Sequence, residues 1–169
     1  MLNNIGLNLS SLNYYISKSK NRPNIIKEFT NVAIENKISG LEFYPSSFLK
    51  YHDNFKLNLI CKKINSDGLF YILDCDKIFD LHAVKKLIIN TKFTNKKIIV
   101  IILTKILECK RYLIKKDWDD YISDAIIFLK KLEPIARDNN IKIAIENHQD
   151  FDSNDFLKIM DNFPKDDTI

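Results

Sequence analysis

Glu146 closes the run Ile141-Lys142-Ile143-Ala144-Ile145-Glu146-Asn147, and His148 follows at once. Every second residue of an extended segment shares a face, so Lys142, Ala144 and Glu146 stand together, opposite the three isoleucines. His148 can orient Glu146 or a substrate, or stand as a solvated loop histidine. Glu42 repeats the pattern: with Gly40 it faces away from Leu41 and Phe43. It can accept from substrate hydroxyls or pair with Lys142. Asn8 and Asp74 also end apolar segments, where such residues either line a site or cap a turn. Cys75, between Asp74 and Asp76, has no base near it in sequence that would make it a nucleophile. His52 and His82 fall in loop or helix-start contexts.

The elements that must position these residues alternate regularly. Ile5, Leu7 and Leu9 predict a first strand with Gly6 and Asn8 on its other face. Ile25, Ile26, Phe29, Val32 and Ala33 space as a helix face. Residues 38–44 predict a second strand, which Pro45 stops because it has no amide hydrogen for a ladder. A helix through Leu57, Ile60, Cys61 and Ile64 ends near Asp67-Gly68, and Leu69 to Asp74 reads as a third strand. Leu81, Val84, Leu87 and Ile88 mark another helix. Lys97 to Thr104 is almost wholly apolar and β-branched, which predicts a strand buried on both sides. The longest helix runs from Trp118 to Ala136, with Asp117 as its cap, Asp119 and Asp120 favourable to its dipole and a kink expected at Pro134. A last short helix is expected over residues 155–161, after Asp152 or Ser153.

Composition narrows the setting. A chain of 169 residues, 46% hydrophobic and 28% charged, can bury one core, so a single domain over residues 1–169 is expected. The net charge of +4 is carried by scattered lysines and makes no case for nucleic acid. No apolar run is long enough to span a membrane, and the first residues lack the basic start and apolar core of a signal peptide. Three widely spaced cysteines form no CxxC pair, which points to reduced thiols and a cytoplasmic setting.

Strands alternating with helices predict parallel βαβ units. The first βα turn begins Ser10-Ser11-Leu12-Asn13, without the GxGxxG of a dinucleotide site, and no GxxxxGK[ST] occurs. In the first, second and fifth strands one face is large and aliphatic while the other is small or polar and ends in a carboxylate or amide. An open sheet covered on both sides wants two apolar faces, whereas a barrel strand carries its polar face inward and its site at the carboxyl end. A parallel (β/α) barrel of TIM type is therefore expected. About five βα units fall short of eight, so the expectation is an incomplete barrel with unpaired edges and an exposed apolar face.

IGLNLS at the first strand, AIENKISGLEFYP at the second and LEPIARDNNIKIAIENH at the fifth together resemble the xylose-isomerase-like TIM barrels. That family includes sugar-phosphate isomerases and epimerases, inosose dehydratases and endonuclease IV-type enzymes. The resemblance implies a sugar or sugar-phosphate substrate. It also implies a divalent metal (Mn, Mg, Co or Zn), held only in a complete barrel, that polarises a carbonyl while glutamates move a proton on the adjacent carbon. Glu146 falls where the family has a metal-binding glutamate, with Glu42, His148, Asn8 and Asp74 as substrate-binding candidates. Two alternatives stand beside an isomerase or epimerase. One is a non-catalytic half-barrel or remnant that completes its fold with a partner, as a homo-oligomer or with a complementing chain. The other, an endonuclease IV-like phosphodiesterase, would need more inward histidines than three in the whole chain allow.

Overall fold

The fold follows from where the aliphatic stripes can be buried. A computed structural model of the chain describes residues 5–9, 25–47, 54–106, 110–147, 150–163 and 168–169. His52, Cys109 and His148 lie outside these residues, and so does the first βα turn. Among the described residues, five strands form one parallel sheet: β1 (Gly6–Asn8), β2 (Gly40–Phe43), β3 (Phe70–Cys75), β4 (Ile98–Ile102) and β5 (Lys142–Glu146). Their order in space is their order in sequence. Between and after them come α1 (Ile25–Glu35), α2 (Asn54–Ser66), α3 (Leu81–Thr91), α4 (Trp118–Asp138) and α5 (Ser153–Met160). The protein is thus an α/β fold on an all-parallel sheet.

Sequential order has a geometric consequence. Right-handed crossovers that always step to the next strand in one direction put every helix on the same side of the sheet. The burial pattern agrees. Leu41, Phe43, Tyr71, Leu73, Ile99, Ile101 and Ile143 are buried in one core cluster with Phe29, Ala33, Ile64, Val84, Leu129 and Ala136 from the helices. Residues of opposite parity are less evenly covered: Ile72, Ile98 and Val100 are half-buried and Ala144 and Lys142 exposed, whereas Asp74 and Ile102 near the strand ends are buried. The expectation that residues 97–104 are buried on both sides holds at Ile102 and Thr104 and is corrected at Ile98 and Val100. A run of β-branched residues fixes an extended backbone, but Ile98 and Val100 meet no second layer among the described residues.

Helix ends match their local chemistry. Asp117 accepts from the amides of Asp119 and Asp120 at the start of α4, and that helix continues through Pro134. Asp152 and Asp155 form a reciprocal capping box at α5. Gly68, which follows α2 at φ +80°, takes the left-handed conformation that other residues adopt only with strain. Cys61 and Cys75 are buried and form no disulfide, and burial pushes the Cys61 thiol up to about 12.

Two packing features hold the sheet's carboxyl end and its open face. The first is a clasp around Arg111, in a short 3-10 turn (Arg111–Leu113) that follows β4. Its guanidinium meets Asp155 at 2.7 Å, donates to the Asp150 carbonyl at 2.7 Å and lies 4.6 Å from the Trp118 ring centroid. Thr104 donates to the buried Asp150 carboxylate at 2.6 Å, so the loops after β4 and β5 are fastened together. Arg111→Ala leaves buried Asp155 without its cation, and should cost ~2 kcal/mol in chemical denaturation while Arg111→Lys costs less.

The second feature is on the open face. Gly40 pairs with Phe70 in register, and the Phe70 ring lies across it. A Cβ at Gly40 would fall 2.4 Å from Phe70 Cδ2 and 2.5 Å from its Cγ, so only glycine admits the ring there. At Gly6 the closest ring atom would be 3.4 Å away, ordinary contact at its near limit. Gly40→Ala is expected to cost ~2 kcal/mol by overpacking, and Phe70→Leu in the same chain should recover much of it. Equal losses in the single and double variants would mean that the ring is not the obstacle.

Candidate active site at the carboxyl end of the sheet

Register decides which side chains meet. Asn8 pairs with Glu42, so neighbouring strands carry an amide and a carboxylate side by side on the open face. Asn8 Nδ2 donates to Glu42 Oε1 at 2.6 Å. Two residues beyond Glu42, and on the same face, Tyr44 donates its hydroxyl to Glu146 Oε2 at 2.8 Å. That bond spans from the end of β2 to the end of β5 across the open side. Asp74 lies between them in the sheet, near the end of β3, paired with Val100.

The electrostatics show that these groups form one cluster. Burial and the Glu146 charge raise the Glu42 carboxyl above its usual range, against the opposing bond from Asn8. Asp74 is 1% exposed, and neither of its carboxyl oxygens has a hydrogen-bond partner among the described residues. Burial first, then the charges of Glu42 and Glu146, push its carboxyl from 3.8 up to about 8. Tyr44 is shifted far upward by burial, by its bond to Glu146 and by all three acids. A phenol so placed is a hydrogen-bond donor at any ordinary pH.

Four of the five sequence candidates, Asn8, Glu42, Asp74 and Glu146, therefore lie in one neighbourhood; His148 is outside the described residues. Asp74 is not a turn or helix cap, since its oxygens accept from nothing described. Glu42 uses Asn8 as its hydrogen-bond donor, a pairing the sequence did not single out. Tyr44 was missed altogether. The available signal was parity: it continues the face of Gly40 and Glu42 past the last strand residue, just before Pro45. His82 sits exposed on α3.

The donor set bears on the metal that the family resemblance implies. Among the described residues, no group of three acidic, histidine or cysteine side chains is arranged to hold a metal ion. Glu146 has one oxygen taken by Tyr44, while neither oxygen of Asp74 has a hydrogen-bond partner among the described residues. The described residues by themselves do not fit a three-donor metal site. What they can do is accept and release protons beside a bound polar molecule. A groove of about 280 Å³ between α1 and α2, lined by Ile26, Thr30, Leu59 and Ile60, carries the Lys63–Asp67 ion pair at its polar side and a single carboxyl group. Among the described residues, no helix is long and apolar enough to cross a membrane. Compared with known proteins, the chain matches no protein-family model and no curated protein.

Proposed function

We propose that the protein is a sugar or sugar-phosphate isomerase or epimerase whose chemistry is proton transfer by carboxyl groups at the carboxyl end of the sheet. The observation that carries this reading is the meeting of Asn8, Glu42, Tyr44, Asp74 and Glu146 on one open face. Ligands of parallel α/β folds bind at that end of the strands, where loops and strand tips supply the polar groups. In this reading Glu146 takes the proton from the carbon beside a sugar carbonyl, and Glu42, Asn8 and His148 bind hydroxyls. The sheet is read as five consecutive units of a TIM-type barrel, supported by the sequential strand order and one-sided helices. No step is assigned to the divalent cation (Mn, Mg, Co or Zn), because the described residues do not build its cage. The setting is read as cytoplasmic, on the cysteine pattern alone.

The test is exchange chemistry. The chain is incubated in deuterated water with D-fructose, D-xylulose, D-tagatose and D-ribulose 5-phosphate, with and without Mn²⁺ or Mg²⁺. Deuterium appearing at the carbon beside the carbonyl, with interconversion of the sugars, supports the reading; no label in any sugar refutes it.

A second reading, a half-barrel that completes its fold with another chain, is favoured by one observation. Ile72, Ile98 and Val100 are apolar yet only half-buried on the open face. Light scattering on a sizing column would then report a dimer or a heterocomplex, and a monodisperse monomer counts against it.

A further inference from the structure

Asp74 carries a feature that substrate binding alone does not require. Its side chain is 1% exposed, deeper than Glu42 or Glu146, yet it meets no donor and no cation among the described residues. The groups that bear on it electrostatically are Glu42 from β2 and Glu146 from β5, with Tyr44 alongside; all are acidic. A buried polar side chain without partners is costly, and persists where a ligand or a proton completes it. Two carboxylates close by favour the proton, because like charges in a poorly solvated site cannot all ionise. Glu146 differs: Tyr44 donates its hydroxyl to Glu146 Oε2. The site thus pairs an acid built to keep its proton with a carboxyl group held by a donor, an arrangement that separates the two roles of proton transfer.

We propose that Asp74 is the catalytic acid of this site and works with Glu146 in a proton transfer that uses no metal ion. The assignment rests on the isomerase reading. For a ketose, the Glu146 carboxylate takes a proton from C1, and the C–H electron pair becomes the C1=C2 bond. The carbonyl π pair on O2 takes the proton of Asp74, giving an enediol, a protonated Glu146 and an ionised Asp74. Glu146 then returns its proton to C2 while Asp74 removes the proton from O1. The product is the aldose, and both carboxyl groups regain their starting states. No oxidant, reductant or co-reactant enters.

The experiment has three arms on the full chain. Carbon-13 NMR of carboxyl-labelled aspartate follows Asp74, identified by its loss in Asp74→Asn, and should show a midpoint near 8 that falls in Glu42→Gln. Deuterium exchange into the sugars named above should persist in EDTA, and should decline as pH rises through the same midpoint. Asp74→Asn should lower exchange about 100-fold and abolish that alkaline limb, while Asp74→Glu keeps part of both. An Asp74 midpoint in the ordinary carboxylate range, beside active exchange, overturns the acid role and leaves the isomerase reading standing. Exchange lost in EDTA and restored by Mn²⁺ overturns the metal-free step. Absence of exchange with every sugar removes both the acid role and the isomerase reading.

Discussion

Asp74→Asn is expected to become progressively more stable than the parent chain as pH rises, the gap widening by roughly 4 kcal/mol between about pH 4 and pH 9. The folded chain holds the Asp74 proton up to about 8, whereas the ordinary carboxyl releases it near 3.8. A group whose midpoint is raised by folding contributes its full stability below the unfolded midpoint. That contribution drains away as pH climbs and is gone once the folded midpoint is passed. Each unit between the two midpoints is worth about 1.4 kcal/mol, and relaxation around a newly formed charge lowers the total somewhat. Asparagine nearly matches the shape of the protonated acid and never ionises, so its own burial cost is the same at both ends of the range. The melting temperatures of the two chains should therefore diverge by about 12 °C over that interval. A constant difference across pH would show that Asp74 ionises freely in the folded state.

That experiment isolates a property the sequence could not express. Strand parity was enough to put Glu42, Asn8 and Glu146 on one face, because a two-residue period is fixed by the extended backbone. Their convergence then follows from sequential strand order, which βα alternation alone leaves open and which the polar strand faces favoured by pointing to a barrel. The state of Asp74 depends on what is absent around it, and one strand's pattern says nothing of its neighbours' donors. Tyr44 reaches Glu146 across 102 positions of chain, and the Arg111 clasp joins a loop after β4 to the cap of α5 across the sheet's end. Such contacts are set by tertiary geometry. Residues 98–102 show the opposite limit. Hydrophobicity reported that Ile98 and Val100 are apolar, but whether a second layer covers them is not a local property.

Glu146→Gln should reduce sugar-proton exchange by about 1,000-fold, a typical loss for removing a positioned acid–base group. Glutamine keeps an oxygen that can accept from Tyr44, so the tie between the ends of β2 and β5 survives and the melting temperature should move little. Only basicity is removed. Tyr44→Phe makes the complementary change: the carboxyl group stays but loses the donor that fixes its orientation, and a drop of about tenfold is expected. Glu42→Gln should act mainly through KM, since Glu42 is bound by Asn8 and assigned to hydroxyl recognition. The ranking of the three variants matters more than any single value. If Glu42→Gln abolished exchange while Glu146→Gln did not, the base would be on β2, and Asp74 would then be the acid to a different partner. If all three fell equally with unchanged melting, the cluster would act as one coupled unit, and only the pH profile of each variant could divide the work among its carboxyl groups.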